Sequence, residues 1–284
     1  MRGGRDWRPV LRNWQALLLL APLVMLLGGL VGYPLVNLTI ESLSSGDGIG
    51  NYAAVLESSA GRRSLIVTTI ASAIVAVLST AIGGLLAWYA HTARRAWVRT
   101  VLWLALLVPF FIGTVPKNYA IVLLLADNGP VNELFAAIGV APVSLLYTST
   151  GVVLGSVYSM VPYAAFALYG VFLTIDRTLV VAARGMGASR LQVTRTVVLP
   201  LAMSGVLASL ALVFAITLGF YVTPVLVGGA QAPFMATLIQ EYVLQQFNYP
   251  LASAASVMLL AVAVGVLGLA LSVIGRERLT RAAG

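Results

Sequence analysis

Apolar residues dominate six stretches of this 284-residue chain, and short segments richer in charge separate them. The stretches cover about 14–38, 65–90, 101–126, 150–174, 201–226 and 250–275, each near the roughly 20 residues an α-helix needs to cross a bilayer. This pattern predicts an all-α, polytopic membrane protein with six transmembrane helices, forming a single domain over 1–284. The first stretch follows Arg2, Arg5, Arg8 and Arg12 and so has the look of a secretory signal peptide. Its apolar run, Ala16 to Val36, is 21 residues long. A signal core spans about 7 to 15, so an uncleaved first span is expected. Small residues one turn apart, at Gly28/Gly32, Gly83/Ala87, Gly151/Gly155 and Ala261/Gly265, predict close helix packing within one bundle. A seam with a second membrane subunit is the alternative use of the same spacing.

Composition agrees with the pattern: 60% of residues are hydrophobic and 9% charged, against about a quarter charged in soluble domains. No Cys and a single His, His91, leave no disulfide framework, iron–sulfur cluster or Cys/His zinc set. The sole lysine, Lys117, follows Pro116, so the chain contains no Gly-Lys-Ser/Thr phosphate loop. Any ATP must be hydrolysed by another subunit.

The formal charge of +8 is a matter of topology. The N-terminal arginines, Arg94, Arg95 and Arg99, then Arg177, Arg184, Arg190 and Arg195, and finally Arg276, Arg278 and Arg281 make up 14 of the 17 basic residues. They fall in segments that six crossings place on one side, expected to be cytoplasmic. Arg62, Arg63 and Lys117 lie on the other side with Glu41, Asp47, Glu57, Asp127, Glu133 and Glu241, six of the nine acids. Basic residues dispersed in this way form no stripe for nucleic acid, which is not expected as a partner.

The 175–200 loop carries its own helix signals. Asp176 is placed to cap a short helix through Val180 and Ala183, Gly185 and Gly187 to break it, and Ser189 to cap a second helix from Arg190 toward Leu199. Leu179, Val180, Ala182, Ala183 and Met186 give the first piece apolar surface, with Arg177 and Arg184 facing water or an acidic partner. Such a piece suits a groove on another protein; lying on lipid headgroups is the alternative.

Lys117 is the one strongly charged residue well inside an apolar stretch. Counting 18 residues from Arg99 puts it about 27 Å along the span, near the far side of a core roughly 30 Å thick. It either snorkels to that interface or faces a path opened by Pro109 and Pro116, which free backbone carbonyls. Tyr158, Tyr163, Phe166 and Tyr169 on the fourth span, with Phe214, Phe220 and Tyr221 on the fifth, either pack or present aromatic faces to a cation.

Val181-Ala182-Ala183, three residues, Gly187, nine residues, Val197, one residue and Leu199-Pro200 resemble the EAA loop of binding-protein-dependent ABC importer permeases, with Val181 at the position of the acid. Asn51-Tyr52, Leu107-Val108-Pro109-Phe110, Gly129-Pro130-Val131-Asn132, Leu146-Tyr147, Val161-Pro162-Tyr163, Gly187-Ala188-Ser189, Leu199-Pro200-Leu201 and Gly219-Phe220-Tyr221-Val222-Thr223-Pro224 with Gly228-Gly229 extend the resemblance over nearly the whole chain. They look most like the spermidine/putrescine-type permeases, and the last like the first permease of a pair. The resemblance implies a bacterial inner-membrane permease subunit, itself no enzyme. It implies as partners two ATPase subunits that bind ATP and Mg, a second related permease, a periplasmic solute-binding protein and the lipid bilayer. It assigns ATPase coupling to Arg177, Val181, Ala182, Ala183, Arg184, Gly187, Ala188, Ser189, Leu199 and Pro200. A cation matched by Lys117 and followed by Tyr-Ala, here Tyr119-Ala120, also belongs to the pattern, so Lys117, Tyr119, Tyr158, Tyr163, Phe220 and Tyr221 are the candidate path residues. No cofactor or metal is expected on this chain. An ion-driven secondary carrier is the rival reading, although no charged relay within the spans and no inverted repeat is evident. One His, no Cys and no buried acid pair leave little for a membrane enzyme. The solute, a polyamine, another amine, an aminophosphonate or an oxyanion, is not fixed by the residues.

Overall fold

The computed structural model describes residues 13–44, 48–229 and 232–282, so Arg2, Arg5, Arg8, Arg12 and Asp47 lie outside the described residues. Among the described residues the chain is helical with no strand. Its long helices are α1 (Asn13–Ser42), α3 (Ser59–Thr92), α7 (Ser149–Thr174), α10 (Leu199–Leu218) and α12 (Tyr249–Ala282). Shorter ones are α2 (Gly50–Glu57), α4 (Ala96–Phe111), α5 (Thr114–Leu125), α6 (Pro130–Ala137), α8 (Arg177–Gly185), α9 (Arg190–Val193) and α11 (Met235–Leu244). Among the described residues six stretches are long and apolar enough to cross a membrane, the third of them Thr114–Ala137, and Ala96–Phe111 is a shorter apolar helix.

The expected span 101–126 is not one helix. It divides into α4 and α5, with Ile112 and Gly113 extended between them. Pro116 has no N–H for the Ile112 carbonyl, and Pro109 removes another bond about two turns earlier. Both pieces lie along α7: Phe110 meets Tyr163, and Ile121 meets Gly155. We therefore read α4 and α5 as one broken crossing. The expected span 201–226 also ends early, at Leu218; beyond Gly219 the chain turns into a π-helical segment, Pro224–Gly228.

The core of the bundle is α3 against α7, with α10 closing the third side. A Cβ on Gly83 would sit 2.8 Å from both the Ala165 nitrogen and the Val161 oxygen, so the two backbones touch where only glycine fits. Gly83 and Ala87 thus serve packing within the chain, as do Gly151 and Gly155, whereas Gly28, Gly32 and Gly265 have open space before them. Small hydroxyl side chains fill the tight seam: Ser72, Ser79 and Thr80 on α3, Ser156 and Ser159 on α7, and Ser209 on α10 are buried. Thr80 and Ser209 hydrogen bond at 3.2 Å, tying α3 to α10. On the flank, α1 lies against α12, and from Leu20 to Ile40 its apolar surface is almost wholly exposed.

Candidate coupling surface and translocation path

The loop between α7 and α10 folds by local rules. Asp176 accepts a 2.9 Å hydrogen bond from the Thr178 backbone N–H and starts α8. That bond, with the Thr178 hydroxyl second, holds the fully exposed Asp176 carboxyl below the ordinary carboxylate range. Helix α8 stops at Gly185, and Gly187, at φ +87°, turns the chain back as its sequence position predicts. Ser189 and Gln192 form a reciprocal cap: the Gln192 N–H donates to Ser189 Oγ at 3.3 Å, and the Ser189 N–H to Gln192 Oε1 at 2.8 Å. The second helix does not stop near Leu199 as expected. It passes from α9 through a π-helical turn, Thr194–Val198, straight into α10. Pro200 lacks the N–H that would close an α turn there, and the Leu199 N–H bonds instead to the Thr194 carbonyl.

This geometry divides α8 into two faces. Ala183 is buried in one cluster with Phe172 of α7, Val193 of α9, Val198, and Ala202 of α10, and Val180 and Ala188 pack against the same cluster. The opposite face is apolar yet uncovered: Val181 is 68% and Met186 84% exposed, with Leu179 and Ala182 beside them and Arg184 also exposed. Of the predicted coupling residues, Ala183 anchors α8 to the bundle while Val181, Ala182 and Arg184 face outward. Arg177 begins α8, Ser189 is exposed at the bend, and Leu199 and Pro200 are exposed at the start of α10.

The candidate path residues do not converge. Lys117, in the first turn of α5, is buried, 7% exposed, and forms no ion pair among the described residues. It does not extend to open surface. Asn118 next to it is fully buried; its Nδ2 donates to the Thr114 carbonyl at 2.8 Å and its Oδ1 has no partner among the described residues. Tyr119 and Tyr158 are exposed on the outside of the chain. Tyr163 packs on Phe110, and Phe220 packs beside Phe214 and Leu218. Tyr221 lines a cavity of about 630 Å³ between α10, α11 and α12.

Sequence reading missed a ladder of rings linking α3, α4 and α7. His91 and Trp88 stack at 5.9 Å, Trp103 meets Tyr169 at 4.7 Å and Phe166 at 5.9 Å, and Phe110 continues to Phe166 and Tyr163 at 5.2 and 5.0 Å. Tyr163, Phe166 and Tyr169 are thus held by other rings. Their signal was the repeat of three residues on α7, facing Trp103 and Phe110 seven apart on α4. Also unforeseen, Tyr147, at φ +62°, donates its N–H to the Val227 carbonyl at 2.8 Å and lays its ring over Gly229. Among the described residues no three His, Cys, Asp or Glu side chains gather as metal ligands.

A helical bundle with six stretches long and apolar enough to cross a membrane, among the described residues, has the architecture of a polytopic membrane protein. The chain belongs to the family of binding-protein-dependent transport system inner membrane components, whose family model matches residues 79–279. It is 31% identical over 164 residues to the spermidine/putrescine transport system permease protein PotB of Escherichia coli (strain K12), covering 57% of this chain and 60% of that protein. It is 28% identical over 197 residues to the sulfate transport system permease protein CysT of Salmonella typhimurium, covering 69% and 70%. Its fold matches a chain in the crystal structure of a bacterial alginate ABC transporter in complex with alginate pentasaccharide-bound periplasmic protein. That match has a TM-score of 0.76 at 19% identity and covers 94% of this chain and 96% of that one.

Proposed function

We propose that this chain is one of two permease subunits of an ATP-driven importer in the bacterial inner membrane. A periplasmic binding protein delivers a small polar solute, and two ATPase subunits, which bind ATP and Mg, drive alternating access from the cytoplasmic side. The observation that carries this reading is α8: a capped helix whose one face is seated on the ends of α7 and α10 and whose other face is apolar and uncovered. A rigid piece seated in that way passes a push on its outer face directly to two membrane helices. The uncovered length of α1 supports a second permease. The termini and the 91–100 and 175–200 loops face the cytoplasm, in keeping with their arginines.

For the solute, the named relative PotB supports a polyamine-type cargo. A second reading, an oxyanion or aminophosphonate, is supported by the sulfate relative and by the lack of any Asp or Glu in α3, α4, α5, α7 and α10, near which Lys117 is buried. Lys117 is placed on the path in both readings.

Reconstitution of the chain with its second permease, ATPase and binding protein tests the assignment. Solute-loaded binding protein should stimulate ATP hydrolysis by the whole complex, and the chain alone should hydrolyse none. Gly187→Val, which forces a β-branched residue to φ +87° at about 1–3 kcal/mol of local strain, should uncouple hydrolysis from transport. Ion-gradient-driven transport by this chain alone would overturn the reading in favour of a secondary carrier.

A further inference from the structure

We infer that the ATPase receives α8 in an apolar notch whose rim carries carboxylates, an inference that rests on the coupling role proposed above. Leu179, Ala182 and Met186 follow one another at three and four residues, so they form one stripe on the outer face, with Val181 alongside and Leu191 exposed beyond the bend. Ala183, seated on the bundle with Val180, is four residues from Leu179 and three from Met186, so the stripe flanks the seated edge of α8 and stays uncovered beside it. An apolar face held outward on a rigid, capped helix is matched by an apolar surface on the partner.

Charge fixes the rim. Residues 175–200 contain four arginines and a single acid, Asp176. That carboxylate already accepts the Thr178 N–H as the cap of α8. Arg184 and Arg195 are exposed and form no ion pair among the described residues. The loop therefore offers a net positive charge, with the exposed Arg184 and Arg195 beside its apolar surface and Asp176 as its one anion at the start of α8, and complementary potential favours acids opposite. In the EAA pattern the acid sits where this chain has Val181. A partner built to grip that acid with a cation would here meet a 68%-exposed valine flanked by arginine. The polarity of this contact is reversed, so the chain should discriminate against ATPases that read an acid at this position.

The test uses the complete complex in detergent, with membrane level and elution volume confirming that each variant is folded. Arg184→Lys, treated with a zero-length carbodiimide, should form an amide with an Asp or Glu of the ATPase, identified by mass spectrometry. Val181→Glu should weaken ATPase retention about tenfold or more, and Arg184→Glu likewise, while Val181→Ala stays within about threefold. Raising salt from about 0.1 to 1 M should weaken the native complex more than Arg184→Ala. Tighter binding by Val181→Glu, or an Arg184→Lys variant that cross-links to no ATPase carboxylate, would overturn the acidic rim while leaving the coupling role intact. Failure of the native chain to bind any ATPase would instead overturn the coupling role. A probe on Met186→Cys quenched by lipid-borne quenchers in the assembled complex would place α8 on headgroups and sink the notch.

Discussion

Lys117 and Asn118 are adjacent, buried and incompletely satisfied: the lysine has no counter-charge among the described residues, and the Asn118 Oδ1 has no donor. Burying such groups costs free energy unless something meets them, which supports the place on the path proposed for Lys117. Lys117→Ala should lower transport per folded protein by about tenfold, equivalent to roughly 1.4 kcal/mol on the limiting barrier, while membrane level falls little. Lys117→Arg should retain most activity. Uptake of radiolabelled solute, normalised to protein by immunoblot, measures both; unchanged uptake in Lys117→Ala would remove the lysine from the path. The lysine itself was legible as the lone charge in an apolar run. Its burial was not, because depth along a straight helix says nothing about which neighbours cover a side chain.

At the scale of elements, the seam of α3 and α7 and the proposed lever α8 divide the work. Gly83→Val would place a branched side chain 2.8 Å from two backbone atoms of α7, which cannot move aside as a side-chain tip can. Destabilisation of about 1–3 kcal/mol is expected, read as a lowered melting temperature of the purified chain in detergent. Gly28→Val, with nothing within 4 Å, serves as the control and should melt as the native chain does. The caps and bend of the coupling loop were legible because Asp176, Gly187 and Ser189 act on residues within three or four positions, although the return bond from Gln192 to Ser189 was not read. The break between α4 and α5 was half legible: the two prolines announce an opening, but the apolar run continues across it and reads as a single span. Likewise Val181-Ala182-Ala183 reads as one motif, yet the fold turns Ala183 inward and its two neighbours outward.

For the whole molecule, the orientation expected from the arginines is open to direct measurement, since the chain has no cysteine of its own. Ser189→Cys, exposed at the bend, should react with an impermeant maleimide in inverted vesicles and not in intact spheroplasts. Labelling from the periplasm would invert the topology and with it the side on which an ATPase could dock.

The residue order by itself determined how many times the chain crosses the membrane, which loops carry the positive charge, and where the coupling loop starts, bends and restarts. Each of these depends on length, on summed charge or on neighbours within one helical turn. Tertiary structure alone decided which face of α8 is spent on the bundle, how Lys117 is enclosed, and how the rings of α3, α4 and α7 form one ladder. It also brought Tyr147 onto Val227 and Gly229, two fragments that read as separate motifs along the chain. These contacts join residues far apart in sequence, as Thr80 and Ser209 are at a separation of 129, and an apolar run is equally compatible with every helix neighbour until close packing at positions such as Gly83 selects one.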